Sequence, residues 1–148
     1  MCTRVQFAAD ACPQGSIYGR ATAITPLLDY PLAGNVYLRS SDNKLPDLVI
    51  DLRGPAHQPI RIELAGRTDS VKGALRNTFD FVPDAPVSMF RLELFGGKRG
   101  LVVNSRNLCA RRYFAKAGFS GHNGKEENLK SRMKNDCRSK GRSGERRR

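Results

Sequence analysis

The chain has no Gly-x-Ser-x-Gly elbow, no His-Glu-x-x-His pair and no zinc-ribbon spacing. Hydrolase and metalloprotease chemistry of those kinds therefore has no local anchor. It has no apolar run of membrane-spanning length, about 18 residues or more. After Met1 come Cys2, a polar stretch and Cys12 with no apolar leader core, so the chain reads as cytoplasmic or as cut from a longer precursor. Histidine is scarce: His57 and His122 are the two present, and neither has a ligand or base partner close in sequence. Acidic residues are missing altogether from positions 96–120, where six basic residues stand.

That last absence sets the charge layout. Residues 1–95 hold ten basic and ten acidic side chains, so the net charge of +12 belongs to the C-terminal third. A neutral body thus carries a basic end, which attracts polyanions such as nucleic acid or an anionic envelope polymer. A solubilising surface is the plainer account of the same letters.

The body reads as β-structure. In Ile60–Leu64 apolar and charged residues alternate strictly, and Leu75–Phe81 and Ser88–Leu94 repeat the pattern. One apolar and one charged face point to antiparallel sheets. This register buries Ile62, Leu64, Phe79, Phe81, Phe90 and Leu92 and exposes Arg61, Glu63, Arg76 and Arg91. Further strands are expected at Ile17–Ile24, Asn35–Arg39, Asp47–Leu52 and around Arg112–Phe119. Gly66–Gly73 reads as a polar turn, and Val82–Pro86 as a break, since proline lacks the N–H a ladder needs. The two prolines of Thr25–Gly34 forbid a long helix and make it an apolar loop.

Gly96-Gly97-Lys98 has the look of a phosphate loop. Arg99 stands where that motif needs Ser or Thr, and Leu101–Val103 is strand-like, so a hairpin turn is expected instead. Asp42, Asn43 and Asp47 supply only part of a calcium loop. No metal and no cofactor is expected. Leu129 and Met133, four apart, predict a short helix near Glu126–Lys134; after Cys137 nothing can pack, and 138–148 should be disordered.

Four cysteines allow three pairings. Cys2–Cys12 and Cys109–Cys137 are favoured because each terminal segment then closes on itself. The polyanion-binding candidates are Lys98, Arg99, Arg106, Arg111, Arg112 and Lys116, interleaved with Tyr113, Phe114 and Phe119.

The order of motifs carries a resemblance. Cys12-Pro13, Thr25-Pro26-Leu27-Leu28-Asp29, Pro31-Leu32-Ala33-Gly34-Asn35-Val36-Tyr37-Leu38-Arg39 and Leu45-Pro46-Asp47 are followed by Val82-Pro83-Asp84-Ala85-Pro86-Val87-Ser88. Phe95-Gly96-Gly97 and Asn107-Leu108-Cys109 complete the series. Over residues 2–137 this resembles the C-terminal region of large, uncharacterised secreted proteins of actinobacteria. The resemblance implies an extracytoplasmic, β-rich module with paired cysteines and no assigned catalytic residues. A start at Met1-Cys2 then marks a fragment or a mis-called start.

The expectation is therefore an all-β antiparallel sandwich of seven to nine strands over residues 1–137, with a disordered basic tail at 138–148. Its expected role is non-enzymatic: a structural or adhesion module of an exported surface protein. Its partners would be anionic envelope polymer or neighbouring repeats of the same polypeptide. The rival is a nucleic-acid-binding β-domain, which in a reducing cytosol would keep free thiols.

Overall fold

The computed structural model describes residues 1–137 and divides the chain into two compact units, Met1–Val103 and the part from Asn104 onward. The boundary between the two units falls at 103/104. The expected disordered tail at 138–148 lies outside the described residues.

The described residues are all-β and antiparallel, with eight strands in two sheets. The first unit opens with a five-residue helix, α1 (Arg4–Ala8), and a short 3-10 turn. Six strands follow: β1 (Ile17–Ile24), β2 (Leu32–Arg39), β3 (Asp47–Arg53), β4 (Arg61–Val71), β5 (Ala74–Phe79) and β6 (Met89–Leu94). They form one sheet in the order β5-β4-β3-β2-β1-β6. Strands β1 to β5 are a simple meander, and β6 returns to pair with β1. The second unit is a hairpin of β7 (Phe114–Ser120) and β8 (Glu126–Arg132).

The register explains which face is apolar. Val36 lies opposite Ile50 and Leu38 opposite Leu48; Ile50 lies opposite Leu64 and Leu52 opposite Ile62. On the other side of β2, β1 contributes Tyr18 and the small Ala21 and Ala23 to this core. Leu28 and Tyr30, from the proline-flanked loop, pack against this core. Phe79 lies over Gly66, its cross-strand partner, where a Cβ would collide with the ring.

β3 has both faces covered, and residues 47–52 are all buried. Leu48, Ile50 and Leu52 belong to the main core. Val49 packs with Cys2 and Phe7 in a second cluster on the opposite face. The cover there is the N-terminal segment. Thr3 caps α1: its Oγ1 accepts from the Gln6 N–H while its own N–H donates to Gln6 Oε1. This reciprocal box satisfies two donors that a helix start leaves free. The Cys2–Cys12 bridge closes the segment, and Cys2 exchanges backbone bonds with Leu38 and Ser40 beside β2.

Several expectations need correction. The polar stretch Gly66–Gly73 is not one turn, because β4 runs to Val71 and only Lys72 and Gly73 form the loop. Both have positive φ, 51° and 77°, as a two-residue hairpin turn that follows sheet twist requires. Leu101–Val103 forms no strand, and Gly97–Arg99 is a 3-10 turn rather than a hairpin turn. Residues 126–132 form β8, not a helix. Phe81 falls beyond β5 and is 90% exposed; Phe90 and Leu92, on the edge strand β6, are 45% and 37% exposed. Leu64 is buried and Ile62 and Phe79 pack against the core as the register requires. Arg61, Glu63, Arg76 and Arg91 are on the exposed side.

Candidate polyanion-binding face

The second unit is built around a turn. Asn123 Oδ1 accepts from the Lys125 N–H, the Gly121 N–H donates to the Lys125 carbonyl, and Gly124 takes φ 78°. Left-handed backbone at that position suits glycine alone without strain. The turn sets the register, pairing Phe114 with Arg132, Lys116 with Lys130 and Gly118 with Asn128. Side chains alternate across a strand, so Phe114, Lys116, Lys130 and Arg132 share one face. Lys130 Nζ lies 4.6 Å from the Phe114 ring centre.

Two lysines directly opposite each other repel, and cross-strand like charges are destabilising. No ion pair to an acidic group involves Lys116, Lys130 or Arg132 among the described residues. Ala117, Leu129 and Phe119 occupy the other face. The face bearing Lys116, Lys130 and Arg132 is a positive strip beside an aromatic ring; Glu126, opposite Ser120, shares this face at its turn end and forms no ion pair with them among the described residues.

The loop before β7 is laced to the hairpin. Cys109–Cys137 spans 28 positions in the sequence and joins this loop to the chain beyond β8, with Cα atoms 5.7 Å apart. The Asn135 side-chain amide donates to the Leu108 carbonyl, the Tyr113 hydroxyl donates to the Asn107 carbonyl, and the Met133 N–H donates to the Tyr113 carbonyl. Arg111 lies over Tyr113, 5.1 Å from the ring centre.

The sequence candidates therefore divide. Arg106, Arg111, Arg112 and Lys116 lie in the second unit, whereas Lys98 and Arg99 lie in the 3-10 turn of the first, with Arg99 stacked 3.8 Å from the Phe95 ring centre. The sequence reading missed Lys130 and Arg132 because it took 126–134 as a helix. The signal that could have found them is Asn123-Gly124, a strong hairpin dipeptide, followed by the alternation of Asn128, Lys130 and Arg132 with Leu129 and Ser131.

A second polar cluster lies on the first unit. Arg53 and Arg61 both hold the buried carboxylate of Asp51, at 2.7 and 2.8 Å, and both pair with Asp10. The Arg53 hydrogen bond to Asp10, followed by the nearby Arg53 and Arg61 charges, holds the Asp10 carboxyl below its ordinary range. Phe7, Cys12, Asn35 and Tyr37 complete a pocket of about 230 Å³ beside it. Two carboxylates answer two guanidiniums here, so the cluster fastens the N-terminal segment to the sheet and leaves no charge for a ligand.

His57 is exposed on its loop. Asp42 pairs with Arg4, and Asp47 lies 3.8 Å from Arg39. No group of three or more His, Cys, Asp and Glu side chains is placed to hold a metal among the described residues. No described helix is long and apolar enough to cross a membrane. No family model, curated protein or solved structure matches the chain.

Proposed function

We propose that the chain is a non-enzymatic module of an exported surface protein whose second unit binds an anionic envelope polymer. The observation that carries this reading is the direct juxtaposition of Lys116 and Lys130, neither ion-paired among the described residues, in a hairpin tied by Cys109–Cys137. A repulsive pair held in place by a covalent bridge makes sense as a polyanion seat. Both disulfides fit an oxidising compartment, which favours an envelope polymer over intracellular nucleic acid. The resemblance to secreted actinobacterial proteins points the same way.

A nucleic-acid role is the second reading, favoured by the basic side chains over Phe114 and Tyr113. Stacking of bases on such rings is worth about 1–3 kcal/mol each. Titration of the oxidised chain with a glycerol-phosphate polymer and with single-stranded oligothymidine separates the two. Envelope binding predicts tighter association with the polymer and a loss of affinity in Lys116→Ala and Lys130→Ala. Tighter binding to oligothymidine, with sensitivity to Tyr113→Ala, would overturn it in favour of the second reading.

A further inference from the structure

The edge of the large sheet at β6 is open. β6 pairs with β1 on one side and is the last strand in the order. Phe95 N–H donates to the Tyr18 carbonyl, which continues the β1–β6 ladder by one pair. Backbone groups alternate sides along a strand, so those of Glu93 and Arg91 point to β1 and those of Leu94, Leu92 and Phe90 point to the open side. Among the described residues no backbone bond outside the ladder reaches those three.

The side chains of the same three residues are apolar and half-exposed. Proteins guard open edges with lysine, proline or inward-pointing charge. β6 has none of these on its apolar row. Its opposite face carries Arg91 and Glu93, which among the described residues pair with each other, at 2.6 Å, and with no other charge. The sequence Phe90-Arg91-Leu92-Glu93-Leu94 is thus self-complementary when read against its own reverse. β5, the other edge, lacks this property. Its Arg76 is held by Asp69 of β4, and its apolar row is interrupted by Asn77.

We propose that β6 is a homodimer interface, pairing antiparallel with β6 of a second copy across a two-fold axis at Leu92. In that register Leu92 meets Leu92 of the second copy, Phe90 meets its Leu94, and Arg91 meets its Glu93. The backbone groups of Phe90, Leu92 and Leu94 then make about six hydrogen bonds, and the alternation set by the β1 ladder puts all of them on the side that needs them. The interface is isologous, so each contact occurs twice. The Arg91–Glu93 pairs set partner and register, because a shift by two residues brings like charges or neutral groups opposite each of them.

The test is a charge swap read by sedimentation equilibrium of the full oxidised chain. Wild type should form dimers as its concentration rises. Arg91→Glu and Glu93→Arg should each weaken dimerisation by more than about tenfold, since each sets like charges face to face. Mixing the two single variants should restore a dimer, now between unlike chains, and so should combining both changes in one chain. Because mixing adds no intrachain pair, a fold defect cannot mimic that rescue. Exchange of the Phe90, Leu92 and Leu94 amide protons should slow as the dimer forms. A wild type that stays monomeric at all concentrations, single swaps without effect, or failure of the mixture would each overturn the proposal. So would slow exchange independent of concentration, which would mean that the chain covers this edge itself.

Discussion

Phe7 meets Tyr37 edge to face, with ring centres 5.7 Å apart and planes at 79°. The same Phe7 ring has the guanidiniums of Arg39 and Arg61 each 5.4 Å from its centre. One aromatic side chain from a five-residue helix thus anchors the second face of β3. Phe7→Ala should destabilise the first unit by about 3–5 kcal/mol, the usual range for a buried phenylalanine. Phe90→Ala, at a half-exposed edge position, should cost the monomer clearly less. Urea unfolding at low concentration compares the two; a Phe7→Ala midpoint equal to wild type would mean that the N-terminal cover contributes nothing.

The Asp10 carboxyl is held below its ordinary range first by the hydrogen bond from Arg53, and then by the charges of Arg53 and Arg61. Asp69 is lowered in the same way by its hydrogen bond from Arg76. A carboxyl whose folded pKa lies below its unfolded one contributes stability above the unfolded value and loses it as pH falls through the folded value. Wild type should therefore exceed Asp10→Asn in urea midpoint at neutral pH. The gap should close as pH falls below about 4, when both side chains become neutral. A gap that persisted at pH 2 would show that the carboxylate charge is not its source.

Lys130→Thr should act in opposite directions on two properties. Removing one of two facing lysines should stabilise the hairpin by about 0.2–1 kcal/mol. It should also weaken binding to the glycerol-phosphate polymer and flatten its salt dependence. Hydrogen exchange within β7 reports the first and titration at several salt concentrations the second. Loss of both together would mean that Lys130 serves the fold rather than the ligand.

A two-stranded hairpin is marginal by itself in water, and every residue of β7 and β8 is exposed. The Cys109–Cys137 bridge should supply roughly 3 kcal/mol by restricting the unfolded loop. Reduction, or Cys109→Ser with Cys137→Ser, should open residues 104–137 to protease while the first unit melts as before. If the hairpin kept its protection without the bridge, side-chain packing would be its main support.

The large sheet was legible because period-two alternation is a direct image of a sheet with one covered face. Strands β3 to β6 follow from such runs, with β1 and a shorter β2 placed beside them, although β4 was cut short: Arg67, Asp69 and Ser70 look like turn residues when no neighbour is known. The local cysteine pairing also followed from sequence position. What sequence did not convey was order in the sheet. Phe90 and Leu92 alternate as cleanly as Ile62 and Leu64, but β6 ended at an edge. The second cover on β3 depends on α1, whose Thr3-Arg4-Val5-Gln6 capping box was readable and went unread. Leu129 and Met133 satisfy helical spacing by accident; Asn123-Gly124 is the stronger local signal.

β3 has no free side, and this has a consequence for the order of assembly. Residues 1–16 precede every strand they cover, yet their docking ground, Val49 and Arg53, comes more than thirty positions later. The loop between Cys2 and Cys12, ten positions apart, can be sealed without any of the sheet. The N-terminal segment is thus made early and stowed late, a small clasp that waits for the meander before it can shut. Oxidation in the interval decides whether that clasp arrives as a closed ring or a loose thread.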